Sequence, residues 1–109
     1  MGVIEVNNLE SLNEILDNNE NVVVDFHAMD WCVPCQRLAP HYEAVFDKMD
    51  TVKFLSVDID RASHELVESY QVSGVPTVLA FKNGAVVEKI EQRFHSAPRL
   101  TSKLTELYS

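Results

Sequence analysis

Cys32 and Cys35, the only cysteines of the chain, have the residue type and the C-x-x-C spacing of a complete redox couple. A thiolate at Cys32 could attack a disulfide sulfur and form a mixed disulfide. Cys35, one helical turn later, could then attack in turn and release the bound partner. The pair is therefore sufficient for a two-electron exchange between a dithiol and a disulfide.

The position of Cys32 predicts the order of attack. An apolar run at residues 22–26 precedes it and a helical pattern follows it, so Cys32 lies at a strand-to-helix junction. The unpaired N–H groups and the positive dipole end of a helix start stabilise a thiolate there. Cys35 lies further inside, where burial disfavours the thiolate. We therefore expect Cys32 to attack and Cys35 to resolve.

Two other interpretations of the cysteine pair are a structural disulfide and half of a zinc site. A bridge that closes so short a loop would constrain the unfolded chain little. A zinc site would need two further ligands from the four histidines, none of which lies at paired-ligand spacing. The strand-then-helix context favours redox chemistry over both alternatives.

The composition is that of one compact domain over residues 1–109, with 46% hydrophobic and 24% charged residues. Nine basic against 17 acidic residues give a net charge of -8, which argues against nucleic acid or an anionic membrane as a partner. The start of the sequence lacks a basic leader followed by a long apolar core, and no window approaches a membrane span. We therefore expect a cytoplasmic protein.

The apolar patterns along the chain predict the order β-α-β-α-β-α-β-β-α. Asn83-Gly84 is typical of a type I′ hairpin turn between the last two strands, which must then be antiparallel. Asp60 or Ser63 could cap the third helix, and Ser96 could cap the last. Strands joined partly through helices and partly by a hairpin predict a mixed sheet with helices on both faces.

Four segments carry a resemblance to the thioredoxin family in their order and approximate spacing. They are Val23-Val24-Asp25-Phe26, Trp31-Cys32-Val33-Pro34-Cys35, Gly74-Val75-Pro76-Thr77 and Phe81-Lys82-Asn83-Gly84. The resemblance covers nearly the whole chain. It implies an α/β class and a thioredoxin fold, with a central mixed five-stranded sheet flanked by four helices.

The resemblance also assigns a catalytic role to Asp25. The acidic residue at this place in the family lies buried behind the second cysteine and helps to move its proton. The apolar sequence around Asp25 agrees with this role, because an aspartate in an apolar strand loses hydration and its charged form is disfavoured. Such a carboxyl is expected to exchange protons near neutral pH. An exposed or partnered structural aspartate is the alternative. Asp58 and Asp60 are interpreted as solvated loop and cap residues.

The Val75-Pro76 bond resembles the family's cis-proline, although sequence alone would favour the trans form. In the family this loop faces the cysteine pair and leaves the preceding backbone free to pair with an extended substrate peptide. The implied docking surface consists of Trp31, Val33, Pro34, Gly74, Val75 and Pro76. For Trp31, an ordinary surface-packed aromatic is the alternative.

Several residues depart from the family pattern. Val33 replaces a glycine between the cysteines, and Gln36 replaces a basic residue, which removes one favourable charge near the thiolate. Residues 28–30 form a link one residue longer than usual. His27 could titrate beneath the site, although a satisfied core or loop histidine is the preferred interpretation. Glu91 replaces a glycine at the border of the groove and should discourage acidic targets.

The resemblance implies a thiol–disulfide oxidoreductase that reduces disulfide-containing target proteins. It binds no cofactor, and the expected electron source is NADPH through a flavoprotein thioredoxin reductase. One alternative is a thioredoxin-fold binding module that presents its Val75-Pro76 face without turnover. Another is a disulfide oxidase or isomerase, which no secretory signal supports.

Overall fold

The computed structural model describes residues 3–109; Met1 and Gly2, which belong to the predicted domain, lie outside the described residues. The strands are β1 (Ile4–Glu5), β2 (Asn21–His27), β3 (Lys53–Asp58), β4 (Thr77–Lys82) and β5 (Ala85–Ile90). The helices are α1 (Leu9–Asn18), α2 (Val33–Lys48), α3 (His64–Ser69) and α4 (Ala97–Tyr108), with a 3₁₀ turn at Gln92–Phe94. None of the helices within residues 3–109 has the length and apolar character needed to cross a bilayer.

The strands form one mixed sheet in the order β1-β3-β2-β4-β5. β1, β3 and β2 are parallel, whereas β4 pairs antiparallel with β2 and with β5. Asn83 and Gly84 both have positive φ, 53° and 84°, as the predicted type I′ turn requires. For the described part of the chain, a mixed five-stranded sheet flanked by four helices is confirmed.

β2 divides its side chains between two cores, because successive residues of a strand point to opposite faces. Val22 and Phe26 belong to the cluster that α1 and α3 cover. Val23 belongs to the cluster that α2 and α4 cover. Asp25 and His27 continue the face of Val23, so both lie on the side of the sheet beneath α2.

Tyr42 fixes α2 against that face. Its hydroxyl donates toward the carbonyl oxygens of Val23, at 3.0 Å, and Leu55, at 2.7 Å. Burial raises the pKa of Tyr42 well above its ordinary value, and the charge of Asp25 adds to the effect. The neutral phenol therefore ties the helix to both β2 and β3.

The start of α4 differs from the sequence prediction. Ser96 is the N-cap residue, as predicted, but within the described chain its side chain does not supply the capping hydrogen bond. His41 of α2 takes this role, because its Nδ1 accepts a 2.9 Å hydrogen bond from the Ala97 N–H. Ser63 does cap α3, where its hydroxyl accepts from the Leu66 N–H at 3.2 Å.

Candidate active site

Cys32 is the N-cap residue of α2, one position before the helical turn in which the sequence placed it. Its Sγ accepts a 3.2 Å hydrogen bond from the Cys35 N–H, and its carbonyl accepts from the Gln36 N–H. The Cys35 N–H and the positive dipole end of α2 therefore face this sulfur. Cys35 is fully buried, whereas Cys32 is 4% exposed. This geometry favours Cys32 as the attacking sulfur.

The two cysteines are joined by a disulfide, with their Cα atoms 5.2 Å apart. The described state is therefore the oxidised half of the redox couple. Between residues 3 and 109, no three or more His, Cys, Asp or Glu side chains come together in a group that could hold a metal ion.

The loop before β4 lies against Cys32. The carbonyl oxygen of Val75 is 3.8 Å from the Cys32 sulfur. The Val75–Pro76 peptide bond is cis, which confirms that expectation. The Thr77 hydroxyl donates a 2.6 Å hydrogen bond to the Gly74 carbonyl and braces the loop. A cavity of about 310 Å³ opens beside these residues.

The predicted docking residues reach the surface at this end of the sheet. Trp31 and Val33 are 60% and 50% exposed. Pro34 and Gly74 are exposed as well, and Val75 and Pro76 are partly exposed. The structure therefore brings together an apolar surface that borders the Cys32 sulfur.

Trp31 is held by a residue that the sequence did not assign to the site. Its Nε1–H donates a 2.8 Å hydrogen bond to Oδ2 of Asp60. Asp58 supports Asp60, because its Oδ1 accepts from the Asp60 N–H at 3.0 Å while the residue is only 3% exposed. The interpretation of Asp58 as solvated and of Asp60 as a helix cap is wrong. No local signal could have found this contact, because 29 positions separate Trp31 from Asp60.

Asp25 is buried beneath α2 and pairs with His27. Its side chain is 2% exposed, and its Oδ2 lies 3.3 Å from His27 Nδ1. Its Oδ1 is buried and has no hydrogen-bond partner among residues 3–109. Burial alone lowers the pKa of His27, but the hydrogen bond and charge of Asp25, with smaller effects of Asp58 and Glu5, raise it above its ordinary value. His27 is therefore a partner of the candidate catalytic carboxyl rather than an isolated core histidine.

Comparison with known proteins decides the family. The thioredoxin family profile, described as Thioredoxin, matches residues 2–106. The chain belongs to the thioredoxin family.

Relatives and solved structures agree with this assignment. Thioredoxin of Mycoplasmoides gallisepticum is 37% identical over 84 residues, which are 77% of this chain and 82% of that protein. Mitochondrial thioredoxin of Bos taurus is 47% identical over 78 residues, 71% of this chain but 46% of that protein. A thioredoxin structure from Plasmodium falciparum superposes with a TM-score of 0.84 at 33% identity, covering 98% of this chain and all of the other.

Family membership and the bonded cysteine pair together establish the activity class. The chain is a thiol–disulfide oxidoreductase, and its thioredoxin homologues are protein-disulfide reductases. The thioredoxin fold predicted from the sequence is likewise confirmed by the structural neighbours.

Gln36 makes a structural contact and supplies no charge beside the Cys32 sulfur. Its side-chain amide donates a 2.7 Å hydrogen bond to the Met29 carbonyl. Met29 in turn packs against the small cluster formed by Ala28, Cys32 and Cys35. Gln36 therefore fastens the lengthened link between β2 and α2.

Glu91 lies at the border of the groove, as predicted from its place in the family pattern. It lines the 310 Å³ cavity together with Gly74, Val75 and Pro76. Its carboxylate pairs with Arg93 at 3.1 Å, and both side chains are well exposed. Any effect of Glu91 on a target therefore includes the neighbouring positive charge.

Proposed function

We propose that this thioredoxin-family chain reduces the disulfides of target proteins in the cytoplasm and is recharged by NADPH through a thioredoxin reductase. The observation that carries the proposal is the hydrogen bond from the Cys35 N–H to the Cys32 sulfur at the start of α2. A donor that converges on one sulfur favours its thiolate, the form that attacks disulfides.

The reaction has two steps. In the first, the Cys32 thiolate bonds to one sulfur of the target disulfide, and the other target sulfur leaves as a thiolate that takes a proton from water. In the second, Cys35 loses its proton and its thiolate attacks the Cys32 sulfur, so the mixed disulfide breaks and the second target sulfur leaves as a thiolate that takes a proton from water. Two electrons pass to the target, and the Cys32–Cys35 disulfide remains as the oxidised product.

Asp25 is proposed to accept the Cys35 proton, and the packing of α2 supports this. A helix that links two parallel strands runs antiparallel to them. From Tyr42, above Val23, back to Cys35 the helix covers about 10 Å. From Val23 the strand reaches Asp25 after about 7 Å and His27 after about 13 Å. This estimate supports the proposal that Cys35 lies above the stretch between Asp25 and His27.

The docking role of the apolar surface is supported by its exposure and its backbone. Trp31 and Val33 offer apolar area next to the reacting sulfur. The Val75 carbonyl faces the same sulfur, at 3.8 Å, where an extended target segment can pair with it. We propose that targets bind through Trp31, Val33, Pro34, Gly74, Val75 and Pro76.

The chemistry supports the proposed electron source and compartment. A dithiol that delivers electrons is useful only where a donor keeps it reduced, as in the cytosol. No bound cofactor is needed, because each step exchanges bonds among sulfur atoms. The single domain would therefore serve in electron transport and cell redox homeostasis, with the reductase as a transient partner.

Insulin reduction in dithiothreitol tests the proposal. Wild type should accelerate precipitation, Cys32→Ser should be inactive, and Cys35→Ser should accumulate mixed disulfides with its targets. Faster reaction of iodoacetamide with Cys32→Ser than with Cys35→Ser would invert the assignment. Activity with dithiothreitol but none with NADPH and thioredoxin reductase would contradict only the proposed donor.

A further inference from the structure

Burial separates the proposed proton acceptor, the Asp25 carboxyl, from solvent. The protein gives up the Cys35 proton each time it oxidises and takes one back each time it is reduced. Asp25 is 2% exposed and its Oδ1 is buried without a partner within the described residues, so the carboxyl has little direct access to bulk water. Some group must connect it to solvent.

His27 is placed to make that connection. Its Nδ1 lies 3.3 Å from Asp25 Oδ2, and its side chain is 13% exposed. Its Nε2 makes no hydrogen bond to residues 3–109 and is not among the buried unpaired atoms. One ring nitrogen therefore faces the carboxyl while the other reaches solvent.

From this geometry we infer that His27 is a positioning residue that relays the proton between Asp25 and water. The inference rests on the proposed role of Asp25. When the protein oxidises, Cys35 gives its proton to Asp25, Asp25 passes it to Nδ1, and the imidazolium releases the Nε2 proton to water. The electron pair stays on sulfur and forms the bond to Cys32.

The return half of the cycle resets the ring. Oxidation leaves the proton on Nδ1, next to the carboxylate. On reduction, water protonates Nε2, Nδ1 gives its proton to Asp25, and Asp25 returns it to the Cys35 thiolate. The ring then carries its proton on Nε2 again, with Nδ1 free to accept. One proton leaves and one enters per cycle, without any ring flip.

The charges around His27 suit this task. Asp25 on its own strand, Asp58 on β3 and Glu5 on β1 are the charged groups that act on it. Burial lowers the pKa of His27, but these carboxylates, Asp25 above all, raise it overall. An imidazole that both accepts and releases protons near neutral pH is what a relay requires.

The test measures the two reaction steps separately in wild type, His27→Ala and His27→Gln. Attack is followed as alkylation of Cys32 by iodoacetamide. Resolution is followed as the decay of the mixed disulfide between about pH 5.5 and about pH 9, in samples stopped with acid at successive times. His64→Ala is the matched control, because His64 is an 86% exposed histidine paired only with Glu68 in the described chain.

Both His27 variants should slow resolution by about ten-fold or more, with unchanged Cys32 alkylation. Added imidazole should restore His27→Ala in proportion to its concentration and leave His64→Ala unaffected. Resolution at the wild-type rate, or a loss that imidazole does not restore, would overturn the relay. If His27→Ala does not fold, the dependence of the resolution rate on pH in His27→Gln decides. Loss of the part of that dependence that reports histidine titration supports the relay, and an unchanged dependence overturns it. A wild type inactive on insulin would instead contradict the proposed function, and the relay with it.

Discussion

Replacing Asp25 by alanine should stabilise the oxidised protein at alkaline pH and slow its turnover. The buried, unpaired Oδ1 is unfavourable by about 1–3 kcal/mol, which the variant recovers. The variant also loses the contact with His27. At 3.3 Å this contact is long for an N–H···O hydrogen bond, so we assign it only about 0.5–1.5 kcal/mol while the imidazole is neutral, less than a well-formed bond to a carboxylate. The net gain is about 1 kcal/mol, or roughly 4–8 °C in Tm for a domain near this size.

The gain should shrink as the pH falls. Asp25 raises the pKa of His27, so protonation of His27 stabilises the folded protein. This contribution is fully present below the pKa of an unfolded histidine, about 6.5, and is lost as pH rises through the folded pKa of His27. The variant lacks this contribution at low pH, where burial opposes the charge on His27. Each unit of pKa difference corresponds to about 1.4 kcal/mol, so the lost contribution of His27 acts against the alkaline gain as the pH falls.

Urea unfolding of the oxidised protein, followed by circular dichroism at about pH 5.5, 7 and 8.5, measures this pattern. Asp58→Ala is the matched control, because Asp58 is equally buried but its carboxylate accepts the Asp60 N–H. That variant should lose about 1.5–3 kcal/mol. A lower stability of Asp25→Ala at pH 8.5, with unchanged insulin reduction, would refute the reasoning and make Asp25 a structural partner.

Three further outcomes are expected. Tyr42→Phe should lower the free energy of unfolding by about 1–3 kcal/mol in urea, because it removes the buried hydroxyl that donates toward the Val23 and Leu55 carbonyls, whereas Tyr70→Phe should change it by less than about 0.5 kcal/mol. Burial raises the pKa of Tyr108 to about 12, so its phenol should stay neutral in an ultraviolet titration until well above pH 10. The stability that the neutral phenol contributes is fully present below the unfolded tyrosine pKa of about 10 and is lost as pH rises through the folded pKa. Asp60→Ala should shift the fluorescence of the single tryptophan, Trp31, and leave the stability of the fold nearly unchanged; an unaltered spectrum would contradict the indole contact.

The sequence predicted the fold because its signals are local. Strands and helices follow from apolar periodicity over a few residues, and the Asn83-Gly84 turn follows from the conformations those two residues tolerate. Cys32 and Cys35 were assigned for the same reason, since a helix start and a one-turn spacing are both properties of adjacent residues. The order of attack needed only the direction of the helix.

The contacts that complete the site were not predictable in this way. Two of these contacts join residues far apart in the chain: the Trp31–Asp60 hydrogen bond and the cap on α4 by His41. The burial of Asp58 likewise depends on how the elements pack. Each depends on which strand lies beside which, and on where one helix crosses another. His27 is the intermediate case: the sequence allows a titrating imidazole beneath the site but favours a satisfied core or loop histidine, and it gives no sign that the imidazole faces the Asp25 carboxyl.

The charges at the rim of the site change the view of how targets are chosen. Glu91 pairs with Arg93, and the Asp60 carboxylate is bound to the Trp31 indole. These acidic groups therefore present less free charge to a target than the net charge of -8 would suggest. The overall charge still acts on encounter with distant partners, but salt screens it beyond about 10 Å. On the proposed docking surface, selection at contact distance should therefore rest mainly on the apolar side chains and on the backbone near Val75, where an extended target segment can pair.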